Sequence, residues 1–499
     1  MELVWFKRDL RAYDHDPLWT AARHGPLYGV YVLEDDYLRH PTTSPLHVSF
    51  LLSALSALQE QLRALGGELH VARGDVVKVF QALHERHGIT RLWSHQETGL
   101  GFTYDRDRAV AAWARELGIP WREFRQHGVF RGLRERDGWA DRWHAEITAD
   151  PTTSLEGPQW CRPDDALASI PSLAELSLSR LPEERADHPE WEAGEHLLQT
   201  FLTERGQGYQ KGMSAPEEGW VTCSRISPHL ALGTLSFRHV FREFMSRKVA
   251  LKEEPKSPDR TAWQRSLQSF GKRLRWHCHF IQKLEAEPEL EFHAMHRHLR
   301  GLRPMPDDTT RIDAWSTGHT GYPMVDACMR SLNHNGWLNF RMRAMLVSFA
   351  CYHLWLPWQL VSERLARKFI DYEPGIHICQ VQMQSGVTGI NALRMYSPAK
   401  QLLDQDPTGS FVQRWVPELA GLPVEQLASA LPIGDGAQAS AIDYPAPIVE
   451  HVEATRSARS KIWSIRSRAD SKLESQRVYE KHGSRRRPDR APRDGKRQR

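Results

Sequence analysis

From Glu2 to about residue 130, short apolar runs alternate with stretches in which apolar residues recur every three or four positions. ELVWF (2–6), LYGVYVLE (27–34), ELHVAR (68–73) and RLWSHQE (91–97) read as strands. Helical patterns lie between and after them over His47–Leu65, Val76–His87 and Tyr104–Leu117, and each meets a glycine (Gly66, Gly88, Gly118) where a left-handed C-cap is wanted. This alternation predicts a doubly wound parallel α/β domain over 1–130, covered by helices on both faces. Gly99-Leu100-Gly101 begins like a dinucleotide fingerprint, but Phe102-Thr103-Tyr104 lacks the third glycine, so no phosphate cradle is expected there. Over 131–195 the periodicity fades and Pro, Asp, Ser and Gly accumulate, as in a long connector. Helical periodicity returns from 196 with almost no period-two alternation, predicting an all-helical second domain over 196–470.

Length agrees with two large units, since 499 residues is about three domains of roughly 150. With 40% hydrophobic and 26% charged residues, collagen-like and disordered classes are excluded, and only the 18 Trp are unusual. The six cysteines (Cys161, Cys223, Cys278, Cys328, Cys351, Cys379) form no C-x-x-C pair or cluster, which points to reduced, mostly buried thiols and to no metal. Lys7, Arg8 and Arg11 interrupt the place of a secretory apolar run, and no stretch approaches the ~18 apolar residues that span a bilayer. A cytoplasmic protein without a membrane partner is expected. The net charge of +4 hides an asymmetry: residues 481–499 carry nine Lys/Arg against two Asp, leaving the rest slightly acidic. Residues 471–499 are therefore read as a basic disordered tail, either a solvated end or a contact for a polyanion.

Candidate chemistry collects in the helical half, where Trp276, Trp315, Trp337, Trp355 and Trp358 accompany His277, His279, Arg341, Arg343 and Asp371. Buried rings beside a charged pair suit a flat redox cofactor, whose faces are apolar and whose edge is polar. The same residues would also serve as ordinary core with one ion pair.

Read together, five segments resemble the DNA photolyase/cryptochrome family in order along the chain: VWFKRDLRAYDH (4–15), TCSRISPHLALGTLS (222–236), TGHTGYPMVDACMRSLNHNGW (317–337), YSPAKQLLDQDPTGSFVQRWVPEL (396–419) and IDYPAPIVEH (442–451). The resemblance implies an antenna-type α/β domain and a helical domain holding a U-shaped FAD. It implies FAD contacts at Tyr209 and at Cys223, Ser224, Ile226 and Ser227 of the CSRIS segment, with His277 beside the ring. Arg343 and Asp371 occupy the places of an Arg and an Asp that meet beside the isoalloxazine and favour an anionic reduced flavin. Glu373 stands where a second Asp is usual, and His377 where an Asn commonly faces flavin N5, so His377 either protonates the flavin or simply packs against it.

Other departures are larger. Val381 and Met305 replace the proximal and surface tryptophans of the family's electron wire and leave Trp358, so another route through Trp355, Trp337, Trp315 or Tyr372 is needed. Trp276 matches an aromatic that stacks on a flipped-out dimer. Arg273, Phe340, Ala344 and Met383 replace a Glu, an Asn, a Met and a Trp of that lesion pocket. The resemblance implies a FAD-dependent, blue-light-driven lyase acting on UV-damaged DNA as a monomer, with Trp276, Trp358 and His377 as catalytic candidates and Arg273, Trp276, Phe340 and Met383 facing DNA. The alternative is a cryptochrome-like photoreceptor with a signalling partner. A second antenna chromophore of folate or deazaflavin type is left unassigned, although Glu97 and Asp105 lie in the loop where folate-binding members have polar contacts.

Overall fold

The computed structural model describes residues 1–133, 135–161, 169–178, 194–429 and 443–483. Five parallel strands, β1 (Glu2–Phe6), β2 (Leu27–Leu33), β3 (Leu69–Arg73), β4 (Arg91–His95) and β5 (Trp121–Phe124), form one sheet in the order β3-β2-β1-β4-β5. Glu2 pairs with both Leu27 and Arg91. β1 is buried along its whole length, which is why it reads as a plain apolar run. Helices α1 (Pro45–Ala64), α2 (Val76–His87) and α3 (Gly101–Glu116) cover the sheet, and Gly88 caps α2 at φ 67° as its position predicts. The fifth strand was absent from the expected set: Trp-Arg-Glu-Phe is a short edge element with no fully buried residue, so it carries no apolar run.

The connector expected over 131–195 is structured in part. Helix α4 (Trp139–Thr148) buries Trp139, Trp143 and Ile147 against Phe201, Phe237 and Phe241 of the helical half. Farther on, Trp160 covers Gly67, where a Cβ would lie 2.1 Å from its ring, and the Cys161 N–H bonds Leu27 O at 2.8 Å beside β2. Among the described residues from 194 onward there is no β-strand. The helices that matter below are α5 (Ser227–Leu232), α6 (Pro258–Ala286), α7 (Phe340–Ser348), α8 (Trp358–Ala366), α9 (Pro374–Gln384), α10 (His451–Arg466) and α11 (Ala469–His482).

Helix α11 corrects the start of the expected tail. Val478 and His482 are buried, and Glu287 on the turn after α6 receives Lys481 Nζ at 2.8 Å and His482 Nε2 at 2.7 Å. Residues 471–482 are thus fastened by apolar burial and an ion cluster; the rest of the basic stretch, 484–499, lies outside the described residues. The six cysteines are free, four of them buried.

Candidate functional site

In the helical half a cavity lies between α5, α6, α7, α8 and α9. The local sequence explains its frame. Asn339 precedes α7 and its amide donates to Met213 O and Ala215 O at 3.2 and 3.1 Å, tying the helix start to a neighbouring loop. Pro374 opens α9, where its missing N–H costs nothing. From α7, Arg343 donates to both carboxylate oxygens of Asp371 at 2.9 Å, and its Nε donates to Leu338 O at 2.6 Å. Asp371 also accepts the Ser227 hydroxyl at 2.7 Å, and the Phe369 ring lies 4.1 Å from the guanidinium carbon. Three separate elements thereby hold one bidentate, mostly enclosed ion pair in the cavity wall.

Burial pushes the titratable neighbours toward their neutral forms. His377 Nε2 bonds the carbonyl of Ser362 at 2.9 Å, so that nitrogen carries the proton and Nδ1 is left as an acceptor. Burial holds its pKa at about 4. Burial, then His127 and Arg8, hold His277 well below the usual range, and its ring stacks on Phe237 at 5.0 Å. Burial lifts the Glu373 carboxyl above its ordinary value against the pull of Arg8, which reaches it at 2.8 Å. Several lining atoms are buried without a partner: Glu373 Oε1, Gln380 Oε1 and both polar atoms of the Gln384 amide. An apolar core would not leave such groups unpaired, because each costs about 1–3 kcal/mol. They are the mark of a ligand with hydrogen-bonding edges.

The structure brings Ser227, His277, Phe340, Arg343, Asp371, Glu373 and His377 around this cavity. Tyr209, Cys223, Ser224 and Ile226 do not line it. Ser224 O is held by Arg205 at 2.8 Å, burial lifts the Cys223 thiol to about 12, and the Tyr209 phenol meets the Arg273 side chain. Phe340 is 43% exposed at the cavity edge; Trp276, beside cavity-lining His277 in sequence, is equally exposed and lies under the Arg273 guanidinium at 4.5 Å. Arg265, Lys272 and Trp276 share an exposed face of α6. Met383 is half-buried and does not line the cavity. Val381 does line it, with Trp358 buried in the same core and Met305 at the surface.

Of the two readings of the tryptophans, core or cofactor wall, Trp315 and Trp355 do not take the second. Trp315 is core, and Trp355 is sandwiched between Arg303 at 4.6 Å and Lys461 at 4.7 Å; neither lines the cavity. His279 belongs elsewhere too, with Arg136 Nη2 2.6 Å from its Nδ1. The sequence reading missed Gln380 and Gln384, although with His377 they form a polar stripe at i, i+3 and i+7 on an apolar helix, a signal present in the residues. It also missed Arg8, whose contacts are distant in sequence.

A second cavity lies at the carboxyl ends of β1, β2 and β4, under the helical half. The strand order reverses between β1 and β4, and ligands of open α/β sheets sit outside such a switch point. Trp5, Tyr31, Tyr37, Phe50 and Phe102 line it, and at its polar end Arg106 pairs with Glu34 and Glu97, each at 2.7 Å. Asp105 lies outside, exposed and paired with Arg108. Nearby, Asp9, His15 and His95 come within reach of one ion. His15 Nδ1 accepts the Leu18 N–H at 3.1 Å, so Nε2 carries the proton it shares with Asp9 and cannot ligate a metal. This triad reads as a hydrogen-bonded clasp.

Two family models match the chain: DNA photolyase over residues 2–133, and the FAD binding domain of DNA photolyase over 270–464. The chain belongs to the DNA photolyase/cryptochrome family. Within it, similarity extends to both named branches. The deoxyribodipyrimidine photo-lyase of Halobacterium salinarum is 28% identical over 90% of this chain and 96% of its own, and the Cryptochrome DASH of Gloeobacter violaceus is 29% identical over 90% and 93%. The crystal structure of a bacterial class III photolyase from Agrobacterium tumefaciens superposes with a TM-score of 0.79 at 25% identity, covering 93% of this chain and 98% of that one. The cofactor of the matched domain is FAD, and the central cavity fits it: apolar walls suit a ring system, while the unpaired Gln380, Gln384 and Glu373 atoms and the Arg343/Asp371 fork suit its polar edge.

Proposed function

We propose that the protein is a light-driven DNA photolyase that repairs UV-induced pyrimidine dimers, with the FAD ring in the central cavity. FAD supplies a light-absorbing redox centre able to pass an electron to a lesion. The chain's own residues do the rest. Arg343, Asp371 and Ser227 fix the ring's polar edge, His277 and His377 stay neutral against it, and Gln380, Gln384 and Glu373 complete its hydrogen bonds. Tyr209, Cys223, Ser224 and Ile226, outside the cavity lining, would hold the cofactor's phosphate and ribityl arm. The chain divides functionally into 1–130 for light collection, 131–195 as connector and 196–470 for flavin and DNA.

The observation that carries the repair reading is the exposed face of α6 beside the cavity: Arg265 and Lys272 can meet phosphates while Trp276 and Phe340 offer stacking rings for an extruded base. Arg273, held over Trp276, places a cation beside that base. It would favour the lesion's carbonyl edge or a flanking phosphate. The cavity at the switch point is assigned to a second, light-harvesting chromophore, with Glu97 and Arg106 at its polar end.

The deciding experiment is blue-light repair of cyclobutane dimers and (6-4) products, in single and double strands, by holoprotein with its flavin reduced. Repair of at least one substrate, lost or weakened in Trp276→Ala with FAD retained, is the expected result. The replacement of a carboxylate by Arg273 and of stacking Trp by Met383 favours one other reading, a blue-light receptor; no repair on any of the four and no preference for irradiated DNA would establish it instead.

A further inference from the structure

A flavin that arrives oxidised must gain electrons before it can serve, and Tyr372 stands where the protein could supply them. Among the described residues lining the central cavity, Tyr372 is the one Trp or Tyr; the others are aliphatic, Phe, His, amide, hydroxyl or charged side chains. The tryptophans are set back. Trp337 lies 5.9 Å behind the Arg343 guanidinium, and Trp358 belongs to the core behind Val381. Trp355, between two cations, is made harder to oxidise by both.

Oxidising an enclosed phenol requires its proton to leave, and a path is built in. The Tyr372 phenol interacts with the Thr42 side chain, both in the wall of the second cavity, and Thr42 Oγ1 lies 2.8 Å from His40 Nδ1. That nitrogen also accepts the Thr42 N–H at 3.3 Å, so it bears a lone pair, and the His40 ring is partly open to solvent. Burial lowers the His40 pKa, which favours the neutral ring with its Nδ1 lone pair available.

We propose that Tyr372 is the immediate electron donor to the flavin, with Thr42 and His40 as its proton exit; this rests on the reading of the central cavity as the FAD site. In the step, the Tyr372 phenol gives one electron to the photoexcited oxidised flavin ring. Its proton passes to Thr42 Oγ1 as Thr42 passes its own to His40 Nδ1. The neutral tyrosyl radical left behind is returned to phenol by one electron and one proton from an external thiol. Tyr372 lines the second cavity as well, so the radical lies toward the side of the wall away from the flavin, where the thiol can reduce it whenever that cavity is not filled by its chromophore.

The test uses purified holoprotein under blue light, with ring-deuterated tyrosine incorporated and the radical read by electron paramagnetic resonance and transient absorption. A tyrosyl signal that narrows on deuteration is expected in the wild type, together with slower formation in D2O. Tyr372→Phe should keep FAD, lengthen the bound flavin's fluorescence lifetime and lose the tyrosyl signal, whereas Trp337→Phe and Trp358→Phe should leave all three unchanged. Thr42→Val should slow net flavin reduction by about tenfold or more and abolish the D2O effect, the loss expected when a proton acceptor is cut off. A tryptophanyl radical as the first product in the wild type, or undiminished photoreduction in Tyr372→Phe, would overturn the assignment. Wild-type protein that never binds FAD, read from its absorption spectrum alone, would overturn the cavity reading beneath it.

Discussion

Removing one partner of the Arg343/Asp371 pair is the sharpest perturbation the site offers. Asp371 is held by three hydrogen bonds, two at 2.9 Å from Arg343 and one at 2.7 Å from Ser227, and its side chain is only 6% exposed. Arg343 is 23% exposed, so water recovers part of what it loses. Breaking a buried pair from one side costs about 3–5 kcal/mol, and the partial exposure of Arg343 places Asp371→Ala at the lower end, about 3 kcal/mol. If the pair meets FAD, most of that loss is felt in cofactor retention, a weakening of about 100-fold at ~1.4 kcal/mol per factor of ten. Arg343→Ala leaves the more enclosed charge unpaired and should cost more, with only the Ser227 hydroxyl to compensate. The assay is FAD release under dilution, followed by flavin fluorescence, with urea unfolding of the apoprotein to separate affinity from stability. A double-mutant cycle should give a coupling of about 2 kcal/mol, well outside the ~0.5 kcal/mol scatter of independent sites. Coupling below that scatter, with FAD retained in both single variants, would show that the fork is a wall contact and not a cofactor anchor.

Three further outcomes are expected. Trp276→Ala should lose about 1–3 kcal/mol of affinity for irradiated DNA, measured by fluorescence anisotropy, with the flavin spectrum unchanged. Gly375→Ala would set a Cβ 2.6 Å from Ile281 Cα, force α9 away from α6, and so lower both thermal stability and FAD affinity, by about 1–3 kcal/mol in urea unfolding. Burial works to raise the Glu287 carboxyl, but the hydrogen bonds from His482 and Lys481 outweigh it and hold the pKa at about 2, so the clasp on α11 is complete above about 4.5 and is lost as pH falls toward about 2. A spin label at Gln476→Cys should report release of the helix across that window, and Glu287→Gln should leave the label mobile at every pH.

What the residues disclose before folding follows from how locally each feature is encoded. β1 and β2 are legible because they are buried along nearly their whole length and so are written as apolar runs, and β3 because its buried Leu69 and Val71 alternate with more open positions, whereas β5 is a short edge strand whose exposed Arg122 and ion-paired Glu123 leave neither signal. The Arg343/Asp371 pair is legible only through resemblance, since 28 positions separate two charges that the chain could have left in solvent. Gln380 and Gln384 needed no resemblance: two amides beside His377 on one face of a buried helix are a local anomaly, and their unpaired atoms turn it into a ligand edge. The tryptophans stay ambiguous for the opposite reason. Composition brought five of them to one half of the chain, but Trp315 fills core and Trp355 lies under cations, because a large ring is useful for packing wherever a helical domain must close.

The relation between the two cavities is a property of neither domain alone. Arg8 leaves the end of β1 and reaches across to Ala231 O at 2.9 Å, Tyr372 O at 3.3 Å and the Glu373 carboxylate at 2.8 Å. Ala231 and Tyr372 each line both cavities. One arginine from the sheet thus braces the thin wall between the two cavities, and the ring-to-ring steps across that wall, His47 to Tyr372 at 5.9 Å and Tyr372 to His377 at 5.2 Å, are fixed by the same contacts. A change at Arg8 therefore reaches the flavin environment from the other domain. Arg8→Ala would orphan the buried Glu373 carboxylate, which burial already pushes toward its neutral form, and the carboxyl would relieve itself by taking up a proton beside the flavin edge. The flavin's absorption and reduction midpoint should then shift in Arg8→Ala, and adding Glu373→Gln to Arg8→Ala should leave that shift unchanged, because the carboxyl it replaces is already protonated in the single variant; Glu373→Gln alone leaves the Arg8 cation unpaired and should shift the midpoint upward instead.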